Sequence, residues 1–65
     1  MKTPNYEVIV RGRLGPALVG AFDGLSATTT VSCTVLRGAL DQAALYGLLD
    51  RIESLGLELL DVRRV

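Results

Sequence analysis

The fold is decided by the stretch Asp41–Val65, DQAALYGLLDRIESLGLELLDVRRV. Up to Gly56 its apolar residues recur at three- and four-residue spacing. Leu45, Leu48, Leu49, Ile52 and Leu55 form one stripe, while Gln42, Tyr46, Asp50 and Glu53 fall on the other side. That is the period of an amphipathic helix. Asp41 stands where a carboxylate can accept from the unpaired N–H groups of the first turn. Gly56 supplies the stop, because a residue without Cβ enters the left-handed backbone that ends many helices. Beyond Gly56 the period changes to two. Glu58, Leu60, Val62 and Arg64 alternate with Leu57, Leu59, Asp61 and Arg63, the pattern of a strand with two different faces. A helix over 41–56 followed by a strand over 57–65 is therefore expected.

Upstream, Ser26–Leu40 is rich in Thr and Val and reads as β. It is too long for one strand in so small a domain. The break is placed near Val31-Ser32, giving strands Leu25–Val31 and Cys33–Leu40, although no Asn-Gly or Asp-Gly marks the turn. Before it, Gly15-Pro16 opens a short helix, since proline suits a first turn whose N–H is unpaired in any case. Leu14, Leu18, Ala21, Phe22 and Leu25 give this helix its apolar side, and Asp23-Gly24 reads as its stop after about two turns. The first strand is Tyr6–Arg11, where Tyr6, Val8 and Val10 alternate with Glu7, Ile9 and Arg11.

The order βαββαβ is the ferredoxin-like arrangement of an α+β domain. It predicts a four-stranded antiparallel sheet with two helices on one face. The first and third strands are expected side by side in the centre, running parallel. Tyr6, Val8, Val10, Leu36, Leu40, Leu60 and Val62 should meet Leu18, Phe22, Leu45, Leu49 and Ile52 in the core. Without the first helix, the fallback is ββαβ.

The chain has 65 residues, enough for one domain, and 49% are apolar. Seven Lys plus Arg balance seven Asp plus Glu. That balance argues against a nucleic-acid binder, which would carry excess cationic charge. With no histidine, His-based triads and His-ligated metal sites are excluded. One cysteine excludes an intrachain disulfide and any CxxC motif. No cofactor and no metal are expected. No apolar run is long enough for a membrane span, and the apolar run near the N-terminus is too short for a signal peptide. A reducing, cytoplasmic location is therefore expected. A chain this small buries little of its surface alone. High apolar content with zero net charge points to a homodimer or higher homo-oligomer.

The second face of the sheet is the informative one. It should carry Glu7, Ile9 and Arg11 from the first strand and Val35, Arg37 and Ala39 from the third, with Ser26, Thr28, Thr30 and Glu58 or Asp61 at the edges. Arg11 and Arg37 are expected near each other across the central pair, neutralised by carboxylates of neighbouring strands or of a partner. Apolar residues in the middle of a mixed face favour packing on another subunit over a merely solvated surface. The loop Arg11-Gly12-Arg13-Leu14-Gly15-Pro16 joins two arginines and two glycines to a helix start, which points to contact with a phosphate or carboxylate at Arg13 and Gly15. It lacks the order of a P-loop, and Gly15 is also explained as a helix cap.

Tyr46, with Gly47 beside it in a helix interior, is a further candidate contact residue, because a mid-helix glycine costs about 1 kcal/mol relative to Ala. Cys33 has no histidine to activate it and reads as a small strand residue. Asp50 and Glu53 read as solvated surface, and Arg63-Arg64 as a strand end. RNA-binding sheets of this topology stack bases on aromatic residues, and the central strands place none on the open face.

Length and element order resemble the heavy-metal-associated chaperone domain, but the loop that holds CxxC there reads RLGPAL here, so metal carriage is not implied. The order also resembles ACT domains, regulatory ligand-binding modules that pair edge to edge. In YEVIVRGRL, LVGAFDGL and DQAALYGLLDRIESLGLELL the chain is similar to a group of short actinobacterial proteins, a resemblance that implies a family and no activity.

The leading expectation is a non-enzymatic module that self-associates through its sheet and binds a protein partner or a small anionic ligand, with Arg11, Arg13, Gly15, Arg37 and Tyr46 as contact residues. The runner-up is a small enzyme or accessory cyclase-type protein with an interface pocket, in which Arg11, Arg37 and Tyr46 orient an anionic or carbonyl substrate. A third reading is a weak nucleic-acid-binding regulator.

Overall fold

The computed structural model describes residues 2–22 and 24–65. Six elements follow in order: β1 (Asn5–Arg11), α1 (Pro16–Val19), β2 (Ser26–Thr29), β3 (Cys33–Ala39), α2 (Gln42–Ser54) and β4 (Leu59–Arg64). The strands form one sheet in the order β2-β3-β1-β4, and every neighbouring pair is antiparallel. β1 and β3 are adjacent as expected but antiparallel, which corrects the parallel reading. The helical connection returns β2 parallel to β1, and the tight turn into β3 reverses the chain once more. That turn spans Thr30–Cys33, where the Thr30 N–H donates to the Cys33 carbonyl at 2.8 Å.

α2 ends as its sequence implies. The Asp41 carboxylate accepts from the Ala44 N–H at 2.7 Å. At the other end Gly56 takes φ +73°. The Gly56 and Leu57 N–H groups donate to the carbonyls of Glu53 and Ile52, closing the last turn. Leu48 and Ile52 are its buried residues, and Leu45 and Leu49 pack half-buried beside them. Leu55, placed by periodicity on the apolar stripe, caps the helix and is exposed.

α1 is one turn, shorter than the two turns expected. Gly15 supplies no side-chain cap and Gly20 follows at once, so little local stabilisation offsets the cost of nucleating the helix. The chain continues in turns, with Ala21 and Phe22 N–H groups donating to Leu18 and Val19 carbonyls. Of the expected stop, Gly24 takes φ +82°, and Asp23 lies outside the described residues, as does Met1 of the N-terminal tail.

The core comprises Val8, Val10, Leu14, Phe22, Leu36, Leu48 and Ile52. Each such side chain contributes on the order of 1.5–3 kcal/mol by leaving water. Leu18, Leu40, Leu45, Leu49 and Val62 pack half-buried against it, and Tyr6 is half-buried outside that cluster.

Leu60, expected inside, is 42% exposed. The cause is a register shift between Ile9 and Val10 where β1 meets β4: Ile9 opposes Asp61, but Val10 opposes Leu59. Leu59 and Leu60 thus share one position of β1, a β-bulge that breaks the strict alternation. Leu14, which sequence reasoning assigned to α1, is buried in the loop before it. Thr34 is the fully buried polar residue that secures this loop: its Oγ1 accepts from the Leu14 N–H at 3.2 Å and donates to the Gly12 carbonyl at 2.9 Å.

Candidate functional site: the open face of the sheet

Cross-strand partners in an antiparallel sheet point to the same side, so the registers lay out the face away from the core in three tiers. Across β2, β3, β1 and β4 the first tier is Ser26, Arg37, Glu7 and Arg63. The second is Thr28, Val35, Ile9 and Asp61. The third is Thr30, Cys33, Arg11 and Glu58, joined by the Arg11–Cys33 register, the Thr30 Oγ1–Cys33 Sγ contact at 3.3 Å and the Arg11–Glu58 ion pair.

The arginines of this face are all engaged by carboxylates. Arg37 pairs with Glu7 across β3 and β1. Arg11 Nε donates to Glu58 Oε1 at 2.9 Å, and Arg63 Nε to Asp61 Oδ2 at 2.9 Å. Glu7 also opposes Arg63, so it lies between two guanidiniums, and its side chain is only 14% exposed. The hydrogen bond from Arg63 holds the Asp61 carboxyl below its ordinary value, with the Val62 N–H and the Arg63 charge adding to it; Asp61 in turn raises Arg63. Between these charged tiers sit Val35 and Ile9, each half-buried.

Arg11 and Arg37 are not neighbours, contrary to expectation. Arg11 opposes Cys33 and Arg37 opposes Glu7, with the Ile9–Val35 pair between them. The expected neutralisation by carboxylates of neighbouring strands is present. Arg13 and Gly15 are exposed in the loop after β1. Two N–H groups of that loop are already used, Gly12 by the Ser32 carbonyl at 2.7 Å and Leu14 by Thr34. Tyr46 lies on α2, 60% exposed, with its hydroxyl 3.3 Å from Gln42 Nε2. The structure therefore separates Tyr46, on the helix layer, from Arg11 and Arg37 on the opposite face.

A groove of about 330 Å³ lies beside α2, lined by Ala21, Phe22, Leu25, Leu40, Ala44, Gly47, Leu48 and Arg51. Arg51, which the sequence reading did not single out, donates from Nη1 to the Ala21 carbonyl at 2.6 Å and ties α2 to the turn after α1. Its signal in the sequence was only a cation near a helix C-terminus, where the helix dipole favours one. Among the described residues, a Cβ on Gly47 would meet nothing within 4 Å, so none of their backbone requires that glycine.

Among the described residues, no three His, Cys, Asp or Glu side chains gather as a metal site, and no helix is long and apolar enough to cross a membrane. Fold and face together define an α+β domain of four antiparallel strands and two helices, with a charge-paired sheet face turned outward. Over residues 5–63 the chain matches the family described as "Domain of unknown function (DUF8691)", and it belongs to that family. No curated protein and no solved structure matches it.

Proposed function

We propose that this protein is a small, non-enzymatic interaction module that self-associates through the open face of its sheet. One observation carries the reading: Ile9 and Val35 occupy the centre of that face, flanked by ion pairs that bring its three arginines and three carboxylates to zero net charge. An apolar centre inside a polar, charge-balanced margin is the anatomy of a protein interface. Charges already paired within the chain enter an interface at a smaller desolvation cost than isolated ones. The element order and the strand order β2-β3-β1-β4 support assigning the fold to the ferredoxin-like arrangement, whose single sheet leaves one face uncovered by helices. The single free thiol, Cys33, supports a reducing, cytoplasmic setting. Sedimentation velocity at micromolar protein tests the reading. A dimer or higher oligomer is expected, and a monomer throughout the range overturns it.

The groove beside α2 favours a second activity of the same module, the binding of a small ligand. Its walls are mostly apolar, with Arg51 supplying one cation, which fits an apolar molecule bearing a carboxylate. Chemical-shift changes at Ala44, Gly47 and Arg51 on titration with a medium-chain fatty acid test it; shifts elsewhere or none at all overturn it.

A further inference from the structure

We infer that the occupant of the open face is a second copy of this chain, related by a two-fold axis running along the middle tier, Thr28–Val35–Ile9–Asp61. This rests on the self-association reading and adds the orientation of the partner. A two-fold axis lying in the interface makes the contact isologous, so each residue meets the residue at its mirrored position. With the axis along the middle tier, the first tier of one copy meets the third tier of the other, column by column. Glu7 then faces Arg11 of the second copy, and Arg63 faces Glu58 of the second copy. Each of these contacts occurs twice, so four opposite-sign contacts form, and Ile9 and Val35 meet their own counterparts at the centre. One like-sign contact remains, Asp61 on Asp61 at the sheet margin, where each carboxylate already holds an Arg63 guanidinium at 2.9 Å.

The other in-plane axis, along the strands between β1 and β3, is poorer. It sets Glu7 against Arg37 of the second copy, repeating a pair each chain already makes. It leaves Arg11 facing Cys33, Glu58 facing Thr30 and Asp61 facing Thr28, so it forms two opposite-sign contacts in place of four. Both axes keep the strands of the two sheets nearly aligned, the ordinary geometry of face-to-face packing at about 30°, so the number of opposite-sign contacts decides between them.

The axis is read by cross-linking with a short bis-maleimide, scored as covalent dimer on a denaturing gel. In the native chain the only thiol is Cys33, two residues off the proposed axis. Its two copies lie about 14 Å apart along the strands, before the roughly 10 Å between sheets is added. Thr28→Cys in a Cys33→Ser background places the two thiols opposite each other, and Asp61→Cys in the same background reads the axis from the other edge. Covalent dimer is expected from both middle-tier variants and not from the native chain, with N-ethylmaleimide labelling as the control for Cys33 reactivity. Cross-linking through Cys33 without Thr28→Cys overturns the axis in favour of the one along the strands. Absence of cross-linking in both middle-tier variants, with sedimentation still reporting a dimer, overturns the orientation and leaves self-association standing. A monomer by sedimentation overturns both.

Discussion

Glu58 and Asp61 lie three residues apart in the chain, yet both reach the same face of the sheet, Glu58 to Arg11 at 2.9 Å and Asp61 to Arg63 at 2.9 Å. In an unbroken strand an odd separation puts side chains on opposite faces. The bulge at Leu59–Leu60 absorbs the extra residue, and both leucines are left partly exposed where one would have been buried. Leu60→Ala is therefore expected to cost about 1 kcal/mol, whereas Leu48→Ala, in the core, costs about 2–5 kcal/mol. Urea unfolding of the two variants checks this, and equal costs would put Leu60 in the core.

Thr34 is the buried link between β3 and the loop that carries Leu14. Removing its hydroxyl in Thr34→Val leaves the Leu14 N–H and the Gly12 carbonyl without their partner. The expected loss is about 1–3 kcal/mol. Thr34→Ser keeps the hydroxyl and loses only a methyl group, about 1 kcal/mol. A Val variant as stable as the native chain in urea would mean that these bonds contribute nothing.

Gly47 sits inside α2 with open space where a Cβ would stand. Gly47→Ala is expected to stabilise the chain by about 0.5–1 kcal/mol, because alanine loses less backbone freedom on entering a helix. A lower thermal midpoint for this variant would overturn the expectation.

Ile9 stands at the centre of the open face. Ile9→Lys is expected to abolish association in sedimentation while the far-ultraviolet circular dichroism stays that of the folded chain. A charge at the middle of the apolar tier would have to be buried against its own counterpart. Retention of the oligomer would move the interface elsewhere.

The Asp61 carboxyl is held below its ordinary value of 3.8 chiefly by the hydrogen bond from Arg63. A depressed folded-state pKa stabilises the fold above the unfolded pKa, and that contribution is lost as pH falls through the folded value. The stability difference between the native chain and Asp61→Asn is thus expected to shrink as pH drops from about 6 to below 3.8. Urea midpoints at several pH values check it, and a difference independent of pH would rule out the ion pair as its source.

Much of the fold is legible because its signals are local. Asp41 capping, the Leu48–Ile52 stripe and the Gly56 stop are properties of one helix. The Tyr6–Arg11 alternation is a property of one strand, and even the turn at Val31-Ser32 follows from the length of strand a small sheet can hold. The open face was legible only in its composition. Glu7, Ile9, Arg11, Val35 and Arg37 were placed on it by counting in twos, but their neighbours were not.

Neighbours are set by register, and register is a relation between strands far apart in sequence. Arg37 meets Glu7 and not Arg11 because β3 runs antiparallel to β1 with Glu7 opposite Arg37. Glu58 joins Asp61 because of a bulge whose cause lies in how β4 fits β1. Arg51 reaches the Ala21 carbonyl only once α2 packs over the turn after α1. Local chemistry along the chain was thus enough to specify which elements form and most of the residues they turn inward, but not Leu55 and Leu60, which are exposed. Which charges meet, and hence the charge-paired face on which the proposed association rests, was settled by pairings between distant segments, because no local pattern encodes the offset of one strand against another.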